Sequence, residues 1–245
     1  MLVLGVDSSS AVASAALCRT EGTQLTEIIA SGSVNDHKTH SQTLMPLVQS
    51  LFEKSGVKPE DIDAFAVTTG PGSFTGLRIG VSMVKGMAFA LGKPCRGVST
   101  LEAMAHGYPP ETDAVICAAI DARCGNVYNG LFEVSGDRVV RLCEDRALPV
   151  TELTAELAEN YSGRRIMLAG DGAELIKNEL PGALIPENVP ESGVQTVLAA
   201  LMQQDISPAA LMPKYLRLPQ AERERLAREQ ARKESENNND KEHKQ

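Results

Sequence analysis

The sequence predicts a mixed α/β fold built by internal duplication, two β-β-β-α-β-α units in tandem. Two observations predict it. The apolar run LVLGV (residues 2–6) ends at Asp7, before a serine turn and a second apolar run, AVASAALC. The same order recurs in AVICAAIDARCGNVYNGLFEV (residues 114–134), where Asp121 takes the place of Asp7. A repeated strand, Asp turn and strand, each opening a series of further strands and helices, is the mark of a duplicated domain. The expected boundaries are 1–107 for the first unit and 108–218 for the second, with a charged tail over 219–245.

In chain order, residues 2–6 and 11–18 form the first two strands and LTEIIASGSV (25–34) a third. HSQTLMPLVQSLFEKSG (40–56) carries Leu44, Leu47, Val48, Leu51 and Phe52 at helical spacing and stops at Gly56. Pro46 falls within its first two turns, where a missing N–H is tolerated better than in mid-helix. DAFAVTTG (63–70) is a strand, and Ser73 is the N-cap of a helix that runs to Gly92. CRGVST (95–100) is a strand and LEAMAHG (101–107) a short helix. After the strand pair at 114–134 come strand DRVVRL (137–142), helix TELTAELAENY (151–161), strand RIMLAG (165–170) and helix AELIKNEL (173–180). In the tail, Leu226 is the one large apolar residue. The pairs Glu224–Arg228 and Glu229–Lys233 support a solvated helix at its start, and disorder is expected from Asn237.

Composition narrows the function. The chain has 245 residues, 42% of them hydrophobic, and a net charge of −8. Residues 219–245 hold seven acidic and seven basic side chains, so the whole excess belongs to residues 1–218. A chain that binds nucleic acid by itself usually carries a basic face to displace counterions. None is evident, so contact with RNA is expected through a partner. Five cysteines without CxxC spacing read as buried, reduced thiols of a cytosolic protein. The N-terminus lacks a basic region, and no apolar run approaches the ~20 residues of a membrane span. A cytoplasmic location follows as the expectation.

The glycine-rich stretch GPGSFTGLRIG (70–80) invites a phosphate-loop reading, which fails on spacing. A Walker loop needs Lys and then Ser or Thr after its last glycine, and here Gly76 is followed by Leu77 and Arg78. A dinucleotide loop needs a third glycine at relative position six, which is Thr75. His37 and His40 beside Asp36 have a spacing that can share a metal, but no third ligand stands nearby, and a solvated helix start is favoured. HExxH and GxSxG patterns are missing. The serines at 8–10 fit either an anion-holding turn or a plain hairpin. Set against an ASKHA-type (actin-like and sugar-kinase-like) nucleotide site, the first hairpin has serines where glycines are needed, and the second has Arg123. LAGDGAE (168–174) does have the form of the glycine turn that supports adenosine in that fold.

LGVDSSSAVASAAL, HSQTLMPLVQSLF, GPGSFTGLRIG, GVSTLEAMA, AAIDARCGNVY and KYLRLPQAERE, in order from residue 2 to about 224, together resemble the TsaB (YeaZ) family of bacteria. The resemblance implies an ASKHA-type duplicated fold and a role in forming N6-threonylcarbamoyladenosine beside the anticodon of tRNAs that read ANN codons. It implies a non-catalytic subunit that partners a paralogous transferase, TsaD, with the ATPase TsaE joining them. No cofactor of its own is implied, since nucleotide and metal belong to the partners, and tRNA is met only through the complex. The catalytic paralogue carries His-Met-Glu-Gly-His, whose two histidines bind metal. The matching residues here are Thr100-Leu101-Glu102-Ala103-Met104, so neither imidazole is present. Neither catalytic nor metal-binding residues are therefore expected. The alternatives are a stand-alone ATP-dependent enzyme on the same fold and an old glycoprotease label, for which no nucleophile is visible.

The helix after Ser73 is expected to meet the partner. Gly76, Gly80, Met83 and Met87, with Ile79, line one side of it, and Leu77, Val81, Val84, Ala88 and Leu91 another. Each glycine costs the helix ~1 kcal/mol relative to alanine, which close helix–helix approach offsets. The helix with Leu44, Leu47, Val48 and Leu51 stands beside it, so two helices from each subunit form a four-helix contact, in a heterodimer or in a homodimer of the isolated chain. The alternative is that Gly76 and Gly80 pack on the chain's own sheet.

Overall fold

The computed structural model describes residues 1–35, 39–108, 113–135, 138–187 and 189–217. Strands β1 (Leu2–Asp7), β2 (Ala13–Glu21) and β3 (Gln24–Val34) form an antiparallel meander. β4 (Ala64–Gly70) and β5 (Cys95–Ser99) extend it in parallel, giving the order β3-β2-β1-β4-β5. Every residue of β1 and β4 is buried, as befits apolar runs covered on both faces.

The crossover helices α1 (His40–Ser55) and α2 (Phe74–Leu91) lie on one of those faces. There Leu4, Val6, Ala15 and Leu17 pack with residues of both helices. Val3 and Ala16, one step out of that alternation, face the other side. Both helices end at a glycine in the left-handed region, Gly56 at φ 71° and Gly92 at φ 63°, as the sequence predicts. Ser73 caps α2, its hydroxyl accepting from Gly76 N at 3.2 Å. Among the described residues α2 alone is long and apolar enough for a membrane span by length and composition. Its Leu77, Val81, Val84 and Ala88 are buried within the protein.

The second sheet repeats the plan. β6 (Ala114–Arg123), β7 (Asn126–Ser135) and β8 (Arg138–Arg141) form a meander, β9 (Arg146–Pro149) pairs with β7, and β10 (Ile166–Ala169) adds to β6 in parallel. The order β8-β7-β6-β10 reproduces β3-β2-β1-β4, so the fold is the expected ASKHA-type duplication. Helices α4 (Val150–Asn160) and α5 (Ala173–Glu179) cover one face. Between the two sheets runs α3 (Thr100–His106), entered one residue earlier than expected because Ser99 accepts from Glu102 N and caps it. Leu101 and Ala105 of α3 pack with Ile116 and Phe132 of the second sheet, and Ala103 with Val98 of the first.

The sequence reading missed β9 and a last helix, α6 (Ser192–Ala200). α6 packs on the free face of the first sheet, Val194 and Val197 against Val3 and Ala16. Gly193 makes this possible: a Cβ there would lie 2.6 Å from the carbonyl carbon of Ala15. The Gly193 N–H donates to Ser14 Oγ at 3.0 Å. Beyond α6, Ile206 and Cys95 exchange two backbone hydrogen bonds of 2.9 Å, and Lys214 N donates to Thr69 O. Residues 192–214, assigned by position to the second unit, thus close the first. The tail after Arg217 and the Asp36–Lys38 segment lie outside the described residues.

Candidate partner-binding surface

The turn after β1 shows what the two glycines of α2 do. Ser8 Oγ donates to Gly76 O at 2.8 Å, and Ser73 N donates to Ser9 O at 2.6 Å. A Cβ on Gly76 would overlap Ser8 O, and one on Gly80 would overlap Ser8 Oγ. His40, the first residue of α1, places Nε2 2.7 Å from Ser10 O, which it reaches as donor. Asp7 is buried and accepts from Ser9 N at 3.0 Å and from Thr68 Oγ1 at 2.6 Å. The serine turn is therefore packed by the chain's own helices and its carboxylate is satisfied internally.

The second hairpin is closed in a different way. Asp121 accepts from Arg123 N at 2.7 Å and donates its own N–H to Asp171, while Arg123 and Cys124 hold positive φ. In the LAGDGAE turn, a Cβ on Gly170 would overlap Ala119 O, and Gly172 N donates to that same oxygen. These glycines allow the turn to pack closely on β6. Thr100 is buried with its hydroxyl unpartnered, and the Met104 thioether lies 3.0 Å from where a Gly170 Cβ would stand. No cluster of three His, Cys, Asp or Glu side chains able to hold a metal occurs among the described residues.

Across the gap between the sheets, Arg141 donates to Glu102 of α3 at 3.1 Å and to Asp145 at 2.6 Å, with its guanidinium 4.7 Å above the Phe132 ring. Ser99 Oγ donates to Asp145 at 2.6 Å and Gln203 to Glu102 at 3.3 Å. The two halves are thus joined by a network in which the cation is satisfied from both sides. Tyr108 adds a buried bond to Leu168 O at 2.9 Å, and burial pushes its phenol well above the usual range.

Six of the nine residues expected at a partner contact are redirected by the structure. Leu44, Leu47, Val48 and Leu51, at most 8% exposed, belong to the chain's own core, and Gly76 and Gly80 seat the Ser8 turn. The reason is that α1 needs its whole apolar stripe to cover β2 and β3. Ile79, Met83 and Met87 are half-buried, packed on the core at its edge.

The outer side of α2 is what remains open. Phe89 is 78% exposed, Ser82 and Ala90 are exposed, and nothing lies within 4 Å of where a Gly86 Cβ would point. Met45 of α1 is exposed as well. Phe74, Arg78 and Tyr215 continue this side toward the helix start: Arg78 stacks 3.9 Å over the Phe74 ring and donates Nε to Tyr215 OH at 2.9 Å. The sequence reading passed over Phe89 and Gly86, although Ile79, Met83, Gly86 and Ala90 recur at four, three and four residues, a helical stripe. Of this stripe Gly86 and Ala90 are exposed, and with Phe89 they leave a patch of apolar and small residues open on a helix otherwise packed in a core.

The sequence model of the family described as tRNA N6-adenosine threonylcarbamoyltransferase (TsaD) matches residues 28–241. The chain is 31% identical over 229 residues to the tRNA threonylcarbamoyladenosine biosynthesis protein TsaB of Bacillus subtilis, covering 91% of this chain and 96% of that protein. It is 34% identical over 113 residues to a tRNA N6-adenosine threonylcarbamoyltransferase of Porphyromonas gingivalis, covering 42% of this chain and 33% of the transferase. Among solved structures, YeaZ from Pseudomonas aeruginosa superposes with a TM-score of 0.70 at 27% identity, over 88% of this chain and 99% of that one.

Proposed function

Because the chain belongs to the TsaB family of tRNA threonylcarbamoyladenosine biosynthesis proteins, we propose that it is the non-catalytic scaffolding subunit of that modification, binding a TsaD-type transferase through the outer side of α2. One observation carries the reading. The serine turn after Asp7 is packed by the chain's own α2, while the Phe89–Gly86 side of α2 has no partner among the described residues. A surface of that kind lowers its free energy by association rather than by chemistry, at roughly 25 cal/mol for each Å² of apolar area removed from water.

In this reading nucleotide and metal belong to the partner subunits, a TsaE ATPase joins the pair, and tRNA is contacted through the assembly. The isolated chain uses the same side of α2 to pair with a second copy. The work takes place in the cytoplasm.

The test is to mix the chain with the transferase of its own organism and to assay ATP turnover by each alone and by the mixture. The expected result is a stable complex, modified tRNA from the reconstituted system, and no turnover by the isolated chain. ATP hydrolysis by the chain alone, without complex formation, would overturn the proposal.

A further inference from the structure

The chain as a whole is acidic, yet α2 and the segment 206–217 beside it contain no Asp or Glu and four cations, Arg78, Lys85, Lys214 and Arg217. Lys85 is already engaged, donating to Ala209 O and Leu211 O, and so ties the segment to the helix. Arg78 is different. Its guanidinium lies 3.9 Å from the Phe74 ring centre and 5.8 Å from that of Tyr215, and the two rings stand 4.7 Å apart. Only Nε has a hydrogen-bond partner, the Tyr215 hydroxyl; the terminal nitrogens have none among the described residues. Arg78, Lys214 and Tyr215 are exposed.

We propose that Arg78, held flat by Phe74 and Tyr215, is a carboxylate-reading anchor, and that residues 212–217 belong with α2 to one docking surface for a protein partner that presents acidic side chains beside an apolar patch. The inference rests on the partner-binding reading above and names the chemistry of the face that meets it. The ladder fixes the side chain before binding, so little rotamer freedom is lost when the fork closes on a carboxylate. A planar guanidinium with two free terminal amines is suited to bidentate recognition, and Arg is over-represented among the residues that dominate interfaces. A protein fits better than RNA. Met212, at 63% exposed, and Leu216 lie on the same segment as Lys214 and Tyr215, and Phe89 is exposed further along the helix, whereas an RNA-binding strip gains affinity from each added cation rather than from apolar neighbours.

The test is the affinity of the full chain for its organism's transferase, measured by calorimetry at ~50 and ~500 mM salt, for the wild type, Arg78→Ala, Arg78→Lys and Lys214→Ala. The wild type is expected to bind more weakly at high salt. Arg78→Ala should weaken binding about tenfold or more and flatten the salt dependence. Arg78→Lys, which keeps the charge and loses the fork, should fall between, and Lys214→Ala should act mainly on the salt dependence. Melting temperatures serve as the folding control, and Lys214→Glu replaces Arg78→Ala if the latter does not fold. Wild-type affinity and salt dependence in every variant overturns this inference alone. No binding by the wild type overturns the partner reading as well. Intact transferase binding with loss of tRNA binding would reassign the surface to RNA and overturn the inference.

Discussion

Ser8 and Gly76 are joined by a buried hydrogen bond of 2.8 Å from the serine hydroxyl to the glycine carbonyl, 68 residues apart in sequence. Together with Gly80 against the same serine, this contact fixes the start of α2 on the first hairpin. It also explains why a helix with two glycines in its first two turns is stable: the cost of each, ~1 kcal/mol, is offset by the close approach of the Ser8 turn, its carbonyl at Gly76 and its hydroxyl at Gly80.

The first prediction follows from that contact. Gly80→Leu should overpack the Ser8 turn and destabilise the isolated chain by ~1–3 kcal/mol. Thermal unfolding should show a melting temperature lower by several degrees. An unchanged melting temperature would mean that the turn yields and that Gly80 faces open space in solution.

Arg141 and Glu102 supply the second. They belong to opposite halves, and each side chain is a quarter exposed or less. A double-mutant cycle of Arg141→Ala and Glu102→Ala should give a coupling of ~1–2 kcal/mol in urea unfolding, reduced from a fully buried pair by the remaining solvent screening. Additive effects would show that Asp145 alone holds the arginine.

Histidine 106 gives a pH dependence. Burial pushes His106 down to about 4, so it stays neutral in the folded chain while the unfolded chain takes up a proton near 6.5. Between these values the unfolded state binds more protons, so stability is lost as the pH falls from about 6.5 toward 4. Urea unfolding at a series of pH values should show this loss, approaching ~2–3 kcal/mol at the acid end, and His106→Asn should remove most of it. An identical slope in the variant would assign the acid sensitivity to other groups.

Much of the fold is legible in the sequence because strands buried on both faces must be continuous apolar runs, and LVLGV, FAVT and AVICAAI are such runs. Ser73 and the two capping glycines are equally legible, since few residue types serve there. α6 is not. SGVQTVLAA spans nine residues, and seven of them are buried on several sides, so no polar face marks its period. Its place on the far face of the first sheet is a matter of tertiary closure. The partner surface is half legible for a related reason. A glycine in a helix says that something comes close, but Gly76 and Gly80 cannot tell in sequence whether a hairpin or another protein does so. Leu44, Leu47, Val48 and Leu51 form a stripe that satisfies a core and an interface equally well, and the first sheet takes all of it.

The measurement that tests the central claim most directly is the binding isotherm of Gly86→Leu with the organism's own transferase, taken beside the variant's melting temperature. Gly86 lies on the open side of α2 with free space beyond it, so the isolated chain should fold and melt as the wild type does. Complex formation should nevertheless weaken ten- to hundredfold, because a leucine there keeps the partner at a distance, at an overpacking cost of ~1–3 kcal/mol. Wild-type affinity in a normally folded Gly86→Leu chain would contradict the account, since the outer side of α2 would then not be where the partner docks.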